Sequence, residues 1–488
     1  MVANSLPKKL PPGIKLDTQP EALQHYVASH RGPCALPLGI ARPKTPEQIE
    51  QLVLWARQHE VALVTVSSRA NKRSRADTAL VKPALVVDLS QMRRMIHADT
   101  KDEIAVIEPG LDFAELDAAL LSSGLRSIKP FLPRQGKSVL ATYLEREPPI
   151  GSNTHWDTTD PLAALSIVFG SGESFRTGGA SIPGTLEENL QRGNRQMMAS
   201  GPLVTDYGRV ILGSQGTLGL VSWASIYCES IPAIEESRFY GANELGALTE
   251  LARLLSLHQL GAHFFILSAA QLSLALAEKG EDFEQVLQCE QNVFEWYLYV
   301  NLTANDYLPE QRMEWQFELL SDLASRAKAT WVESIGTILP ATFARRLQNP
   351  PEKHYKDATG KKYAEAICLT QLDKCQALVS VVQKLVSDFG TSAQRNILVA
   401  TYIQPTIQGI SCHLEFTIFS EPEDSALLIA LERLVVSALA ENGGFLSRPY
   451  GDWAKIAYER DANIVPYLRK VKDLFDPSGI LNPGKLCF

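Results

Sequence analysis

The chain has 488 residues, of which 45% are hydrophobic and 21% are charged, and its formal net charge is −8. This length is enough for about three average domains, and charges without long blocks of one sign argue against extended disorder. The acidic balance gives no indication of a basic nucleic-acid-binding face. The most hydrophobic stretch, residues 426–440, contains Glu432 and Arg433. It therefore predicts a packed amphipathic helix and not a membrane span of about 18 apolar residues.

The cysteines and the N-terminus narrow the function classes further. Seven cysteines are scattered without CxxC or CxxxC spacing, which argues against a disulfide framework, a zinc site or an iron–sulfur cluster in this chain. The N-terminal sequence MVANSLPKKLPPGIK has no apolar core of signal-peptide length. We therefore expect a cytoplasmic protein without a metal site of its own.

The ordered pattern begins at Thr45, after a lead-in arm of residues 1–40 that is rich in proline and polar residues. Thr45 is followed by Pro46 and Gln48, which predicts a capped helix start, and Asp112 begins a second helix in a similar way. Short apolar runs predict strands at residues 62–66, 85–89, 104–107, 165–169, 174–177 and 220–227.

A long irregular segment, residues 129–160, holds several prolines and Gly151. Loops of this length in a compact domain are usually functional or disordered. We therefore include Gly151 among the candidate cofactor contacts.

The character of the sequence changes after Pro232, where we place a domain boundary. Long helical patterns then alternate with strands, which predicts helices packed on one antiparallel sheet. The helices are predicted at residues 245–260 and 375–389, and the strands at 294–302, 397–403 and 412–419. The predicted units are the arm 1–40, a first domain 41–235, a second domain 236–440 and a C-terminal segment 441–488.

A glycine-rich motif, GSQGTLG, occupies residues 213–219. Glycines at three-residue spacing let the backbone pass close to a ligand and adopt a positive φ. Exposed N–H groups of such a loop can hold phosphate oxygens. By itself, however, the motif predicts a turn more often than a binding loop.

The motif becomes more specific in combination with other segments. ARPKTPEQIEQLVLWARQHEVALV near the start, LVVDLSQM at residues 85–92, GSQGTLG, and the tail FDPSGILNPGK at residues 475–485 occur in this order. Together they resemble the flavoprotein family of vanillyl-alcohol oxidase, para-cresol methylhydroxylase and the glycolate or D-lactate dehydrogenases. The resemblance covers most of residues 41–232 and 441–488. It implies an α+β fold with a two-lobed FAD-binding domain of the vanillyl-alcohol oxidase type, an α+β cap domain with an antiparallel sheet, and FAD as cofactor.

In this family the matching glycine segment lines the FAD site. The resemblance therefore implies cofactor contacts for Gly213, Ser214, Gly216, Thr217 and Gly219. The tail FDPSGILNPGK consists of two proline-glycine turns around an apolar plug. It either docks against the first domain or also brings Asn482 and Lys485 to the flavin.

One departure from the family concerns the phosphate loop. Where relatives carry a run resembling R-G-G-G-T-S, this chain has SSRANKR at residues 67–73. Two interpretations are open. Either the pyrophosphate is bound by side chains, with Ser68, Asn71 and Lys72 or a nearby arginine as donors, or the site is degraded and these charges are only solvated. No histidine follows this run, so the covalent flavin histidine of some relatives has no counterpart in the loop.

A second departure concerns the substrate side. The metal-binding run H-x-G-D-G-N-x-H of the hydroxy-acid branch is absent. The analogous strand, SCHLEFTI at residues 411–418, alternates between an apolar face and a face with His413, Glu415 and Thr417. Either this polar face looks onto the flavin, with His413 as a proton acceptor and Glu415 as its partner, or it is the outer face of a cap sheet.

The segment SRPYGDW, residues 447–453, lies where relatives place residues near the substrate. Arg448 can hold a carboxylate through two parallel hydrogen bonds. Tyr450 can donate to a developing oxyanion. The alternative is a structural turn before the final helix, with Trp453 in the core.

These features predict an FAD-dependent oxidoreductase, a dehydrogenase rather than an oxidase, that acts on a small hydroxy acid such as glycolate or D-lactate. The missing metal run leaves an aromatic alcohol or phenol as a second substrate class. A third interpretation is a flavin-carrying or flavin-less subunit of a larger redox complex. Its partners would be iron–sulfur or other electron-transfer subunits, and it would have no substrate chemistry of its own.

Overall fold

The computed structural model describes residues 9–27, 35–69, 82–151, 160–194, 206–277, 293–349, 354–421 and 424–488. Within these ranges the chain forms three β-sheets with helices packed against them. Two sheets lie in the N-terminal half of the chain, and the third follows Pro232. The predicted α+β class is therefore confirmed.

The first sheet combines antiparallel and parallel pairs. Its described strands are β1 (Lys15–Asp17), β2 (Gly39–Arg42), β3 (Leu63–Val66) and β4 (Leu85–Asp88), arranged in the order β1-β2-β4-β3. A short helix, α1 (Pro20–His25), follows β1, and α2 (Pro46–Gln58) connects β2 to β3. The Thr45 side chain accepts a hydrogen bond from the Gln48 N–H at the start of α2, as predicted. Because β1 pairs with β2, this part of the predicted arm is an edge strand of the sheet.

The second sheet is antiparallel. Its described strands are β5 (Met95–Asp99), β6 (Ile104–Ile107), β7 (Leu125–Ser127), β8 (Leu162–Phe169), β9 (Ser174–Arg176) and β10 (Gly219–Ser230). They follow the order β5-β6-β10-β8-β9, and β7 pairs with the end of β10. The β8–β9 pair is the predicted hairpin. The predicted cap is also present at α3 (Phe113–Leu120), where the Asp112 side chain accepts a hydrogen bond from the Glu115 N–H.

Three short helices complete the described part of this half: α4 (Val139–Leu144), α5 (Leu186–Gln191) and α6 (Tyr207–Ile211). Helix α4 lies within the segment that the sequence predicted to be irregular. Its N-cap is Ser138, whose hydroxyl accepts a hydrogen bond from the Ala141 N–H. A local serine cap thus starts a helix between proline-rich stretches.

The third sheet is antiparallel throughout its described strands, as predicted for the second domain. These strands are β11 (Ile234–Ala242), β12 (His263–Ser268), β13 (Trp296–Ala304), β14 (Thr330–Val332), β15 (Lys362–Thr370), β16 (Leu398–Thr406) and β17 (Ser411–Ser420). Their order is β14-β11-β13-β12-β16-β17-β15. We call this sheet the cap sheet.

The cap sheet has two different cores on its two faces. The described helices of this half are α7 (Leu245–Leu257), α8 (Ala269–Leu276), α9 (Pro309–Ala327), α10 (Pro340–Gln348), α11 (Cys375–Ala393) and α12 (Ser425–Glu441). Helices α7, α9, α11 and α12 pack on one face in a mainly aliphatic core. The other face carries a cluster of aromatic side chains that includes Phe131, Phe265, Tyr299, Phe343 and Tyr402. Among the described helices of the whole chain, none is both long and apolar enough to cross a bilayer.

The C-terminal segment contacts both halves of the protein. Helix α13 (Asp452–Arg460) packs into the cap core through Trp453. Helix α14 (Val465–Phe475) and the tail pack on the first two sheets. Leu481 forms a parallel bridge with Leu63 of β3, and the Leu63 N–H donates to the Ile480 carbonyl at 2.8 Å. The tail therefore extends the edge of the first sheet.

A buried ion pair holds this tail in place. Lys472 Nζ donates to Asp476 Oδ2 at 2.5 Å, to the Thr217 carbonyl at 2.5 Å and to the Leu481 carbonyl at 3.0 Å. Asp476 also accepts hydrogen bonds from the N–H groups of Ile480 and Leu481. Asp476 is only 1% exposed. If one partner of the ion pair were removed, water could therefore not compensate the remaining buried charge at low cost.

We predict that Asp476→Ala lowers the free energy of unfolding by about 3–5 kcal/mol, because it leaves the Lys472 ammonium buried without its counter-ion. A lower midpoint of urea unfolding measures this effect. Asp473→Ala, on the exposed side of the same helix, is the matched control and should change stability by no more than about 0.5 kcal/mol. Equal effects of the two changes would contradict the role of the pair.

Candidate active site

A narrow polar cavity lies where the cap sheet meets the segment 129–151 of the first domain. Its volume is about 30 Å³. The polar and aromatic side chains in its wall include Phe131, Glu147, His354, Lys356, Glu365, Tyr402, Gln404, His413, Glu415 and Arg448. Three of the four predicted catalytic residues, His413, Glu415 and Arg448, therefore share one cavity.

The alternation of β17 positions the first two of these side chains. Cys412, Leu414 and Phe416 point into the aliphatic core, so His413 and Glu415 lie on the opposite face, in the wall of the cavity. His413 is 2% exposed, and its Nε2 lies 3.5 Å from Glu415 Oε2. The polar face of this strand is therefore buried and is not the outer face of the cap.

Two residues that the sequence did not single out complete the charge arrangement. The ammonium of Lys356 forms ion pairs with both Glu365 and Glu415, and lies 2.6 Å from Glu365 Oε1. Lys356 comes from a 3₁₀ turn, Tyr355–Thr359, and Glu365 from β15. For Glu365 there is a sequence signal, because it stands between two alanines in the alternating pattern of β15.

Arg448 is buried, and it has no counter-ion in the part of the chain that the structure describes. The residue is 5% exposed, and its guanidinium Nε has no hydrogen-bond partner. Among the described residues, no carboxylate pairs with this guanidinium. Because an unpaired buried charge is unfavourable, this corner of the cavity favours an anionic ligand.

The protonation states of His413 and Glu415 differ for physical reasons. Burial lowers the pKa of His413 below its ordinary value; the Glu415 hydrogen bond opposes this shift, and the charge of Arg448 adds to it. For Glu415, burial raises the pKa, but the charge of Lys356 and the hydrogen bond with His413 outweigh it and bring the pKa to about 2. A neutral imidazole beside an ionised carboxylate is the arrangement of a general base with its orienting partner.

Tyr450, the fourth predicted catalytic residue, lies beside the cavity. Its hydroxyl donates to Glu145 Oε2 at 3.4 Å, and its ring packs in the cap core. Lys137 bridges Glu145 at 3.2 Å and Glu147 at 3.1 Å, and Glu147 belongs to the cavity wall. These polar contacts connect Tyr450 to the cavity wall. A role of Tyr450 at the substrate stays a prediction.

The predicted FAD loop has the backbone conformation that its glycines permit. Gly213 and Gly216 have φ values of 73° and 70°, and Gln215 has 52°. A Cβ on Gly216 would meet only the Asn482 side chain, at 3.7 Å, so this side of the loop is open. Within the described chain, the N–H groups of Gln215 and Gly216 make no hydrogen bond. Such a pair of free donors can bind phosphate or other polar atoms of a ligand.

The other residues of the motif have contacts within the protein. The Thr217 hydroxyl donates to the Ser214 carbonyl at 2.7 Å, and the Thr217 carbonyl accepts from Lys472. Gly219 begins β10 at a position where a Cβ would lie 2.7 Å from a methyl group of Ile167. Close packing is therefore sufficient to require this glycine. Cofactor contacts of Ser214, Thr217 and Gly219 stay predictions.

The tail residues that were predicted as FAD contacts lie buried, Asn482 directly against the loop. Asn482 Nδ2 donates to the Gln215 carbonyl at 2.5 Å, and Lys485 is 3% exposed. Gln215 Nε2 in turn donates to the carbonyl of Pro449 at 2.9 Å. Because Pro449 follows Arg448, these hydrogen bonds connect the glycine loop, the tail and the segment that carries Arg448.

Ser68 and Gly151 lie at contacts between segments. Ser68 Oγ accepts a hydrogen bond from the N–H of Ser138, the N-cap of α4, at 3.1 Å. Gly151 forms an antiparallel bridge with His263 of β12, which joins the first domain to the cap sheet. Their predicted cofactor contacts stay predictions beside these structural roles.

The unusual phosphate loop is described only at its start. Arg69 forms ion pairs with Asp112 and Glu115 at the beginning of α3, so its charge already has partners. Asn71 and Lys72 lie outside the described residues. Both interpretations of the charged loop therefore remain open.

A mixed sheet and an antiparallel sheet under an antiparallel cap, with a polar cavity at their junction, are the arrangement expected of a flavin-dependent oxidoreductase of this fold. Family comparisons agree with this class. Residues 37–178 match the FAD binding domain, and residues 265–486 match the C-terminal domain of the FAD linked oxidases. The chain belongs to the FAD-linked oxidoreductase family that its sequence resembles, and its cofactor is FAD.

Individual relatives extend over nearly the whole chain. D-2-hydroxyglutarate dehydrogenase of Xanthomonas citri pv. viticola is 23% identical and covers 97% of this chain and 94% of its own length. The structure of 4-ethylphenol oxidase from Gulosibacter chungangensis superposes with a TM-score of 0.79 over 96% of this chain and 93% of that chain, at 17% identity. p-Cresol methylhydroxylase also gives a TM-score of 0.79, over 97% of this chain and 94% of that chain, at 13% identity. These two superpositions show the shared fold alone.

We predict that Gly216→Val sharply reduces the FAD content of the purified protein. A β-branched side chain is strained at this positive φ and fills the open side of the loop. The matched control is Gly443→Val, because Gly443 also has a positive φ, of 91°, and open space around it, but lies in the turn after α12. Flavin absorbance per protein and titration of apo-protein with FAD measure the effect. Equal FAD affinity in both variants would contradict a role of the loop in binding.

Proposed function

We propose that this flavoenzyme is a dehydrogenase of a small 2-hydroxy acid whose carboxylate binds to Arg448. The observation that carries the proposal is the buried guanidinium in the cavity wall, which has no counter-ion among the described residues. A guanidinium offers parallel N–H donors that match the two oxygens of a carboxylate. A neutral alcohol would leave this buried charge without a partner, so the site favours an anionic substrate.

His413 supplies the second requirement, which is a base for the substrate hydroxyl proton. Its Nε2 faces Glu415, and its Nδ1 has no partner among the described residues. The neutral ring therefore has one nitrogen available to accept a proton, while the Glu415 carboxylate stabilises the imidazolium that results. FAD, when bound, supplies the acceptor for the substrate hydride.

The relatives support a hydroxy-acid substrate without specifying it. The D-2-hydroxyglutarate dehydrogenase named above is similar over nearly its full length. The electron acceptor is a separate question, and transfer to an iron–sulfur or other redox subunit stays a proposal.

An aromatic alcohol or phenol is the second candidate substrate. The observation that favours it is the aromatic side of the cavity, where the rings of Phe131 and Tyr402 are stacked with centroids 4.7 Å apart. The experiment that distinguishes the two substrate classes is anaerobic reduction of the bound flavin. It compares D-lactate, glycolate and D-2-hydroxyglutarate with vanillyl alcohol. Reduction by vanillyl alcohol alone would replace the first proposal by the second.

For the hydroxy-acid proposal we predict that Arg448→Lys weakens substrate binding about tenfold to a hundredfold. The lysine ammonium is a point charge and cannot form both parallel hydrogen bonds of the planar guanidinium. The loss of one charge-assisted hydrogen bond weakens the binding free energy by about 1.5–3 kcal/mol. The dependence of the flavin reduction rate on substrate concentration measures it. The control is Arg433→Lys, whose guanidinium is exposed and paired with Asp452. An unchanged dissociation constant in Arg448→Lys would exclude the carboxylate contact.

We also predict that His413→Gln lowers the rate constant of flavin reduction by about 10²–10⁴-fold while FAD content stays high. In the unmodified enzyme only the neutral imidazole accepts a proton. The rate should therefore fall as the pH drops through the His413 pKa, which burial holds below its ordinary value, and this acidic limb should be absent in the variant. Stopped-flow reduction across a pH series tests both points. An identical pH profile in the two proteins would rule out His413 as the base.

A further inference from the structure

We propose that Lys356 is a positioning residue of this active site: its ammonium keeps two neighbouring carboxylates, Glu365 and Glu415, ionised together, so that Glu415 can orient His413. The inference rests on the proposed function, because it concerns the same base. It adds a residue of the cavity wall that the proposed function does not use. Its action passes through Glu415 to the ring of His413.

The geometry of the cap sheet forces the two carboxylates together. Glu365 on β15 is paired in register with Thr417 on β17, and Glu415 lies two residues before Thr417. Residues two apart on a strand share a face, so the two glutamates are diagonal neighbours on the cavity side. Both contribute to the cavity wall, and their side chains are only 11% and 13% exposed.

Lys356 fills the space between them. Its side chain is 3% exposed and forms an ion pair with each glutamate. It reaches this position from the turn Tyr355–Thr359, outside the sheet. The lysine is therefore the shared cation of two carboxylates that the sheet itself brings together.

Other charged and polar groups also line the cavity around this pair. His413, His354 and the hydroxyl-bearing Tyr355 and Tyr402 line the same cavity, as do Glu147 and Arg448. Glu147 is already paired with Lys137. Arg448 pairs with neither glutamate in the described chain.

Without Lys356, two buried carboxylates would share one site, where the negative charge of one strongly raises the pKa of the other. One of them would take up a proton near neutral pH. A protonated or displaced Glu415 no longer stabilises an imidazolium on His413. Removing the charge of Glu365 should relieve this repulsion and return Glu415 to its ionised state, even with Lys356 absent.

The test compares Lys356→Met, Lys356→Arg and the double variant Lys356→Met with Glu365→Gln, each loaded with FAD. The first readout needs no substrate: the infrared carbonyl band of a protonated carboxyl group, recorded at neutral pH. We expect this band in Lys356→Met and its absence in the unmodified protein, in Lys356→Arg and in the double variant. Lys362→Met, at the exposed start of β15, is the matched control without the band.

The second readout is the pH dependence of flavin reduction by the hydroxy acid that reduces the unmodified enzyme. We expect the rate of flavin reduction in Lys356→Met to fall at least about tenfold at neutral pH. The pH profile of this variant should also show an additional ionisation near neutral pH. Lys356→Arg and the double variant should recover most of the loss. A merely structural lysine would not be rescued by a change at Glu365.

The outcomes separate this proposal from the proposed function. If Lys356→Met shows no carboxyl band, or the double variant shows no recovery relative to it, the role of Lys356 is wrong. If Lys356→Met does not fold, the double variant still decides, because a structural lysine predicts that it also fails to fold. If no hydroxy acid reduces the flavin of the unmodified protein, the proposed function fails, while the infrared comparison still tests the pairing of Lys356.

Discussion

The balance of buried charges in one cavity is the constraint on which the rest of this site depends. Glu365 and Glu415 share Lys356, and Glu147 has Lys137, whereas Arg448 has no carboxylate among the described residues. Because charges interact strongly where water is excluded, each protonation state in the cavity is set by its neighbours. Each of these carboxylates thus has an ammonium partner within the protein, whereas the Arg448 guanidinium has no carboxylate partner in the described part of the chain.

The cap sheet provides the rigidity that this balance requires. Strand β17 lies between β16 and β15, and its apolar face is buried under α11 and α12. The positions of His413 and Glu415 are therefore fixed by backbone pairing on both sides and by a packed core behind them. Sites carried on such elements are held more accurately than sites on loops, which suits the role proposed for His413.

The C-terminal segment couples the cap to the cofactor domain. Pro449 accepts a hydrogen bond from Gln215 in the glycine loop, and Asn482 in the tail donates to the same residue. Lys472 then links the carbonyl of Thr217 to Asp476 and Leu481. Contacts from both ends of one segment thus converge on the loop, so the same residues position the loop relative to the segment that carries Arg448.

The sequence by itself determined the features that depend on local rules. The caps at Thr45 and Asp112 follow from residues three apart in the chain, and the two faces of β17 follow from the two-residue period of a strand. The ordered motifs also carried the family, the two-domain α+β fold and FAD. Only the tertiary structure decided the charge partners, because these come from distant segments: Lys356 and Glu415 are 59 residues apart, and Gln215 and Pro449 are 234 residues apart. That Arg448 has no counter-ion among the described residues depends on every group packed around it. The helix Val139–Leu144 depends on a serine N-cap within a proline-rich segment. No sequence motif therefore indicated either feature.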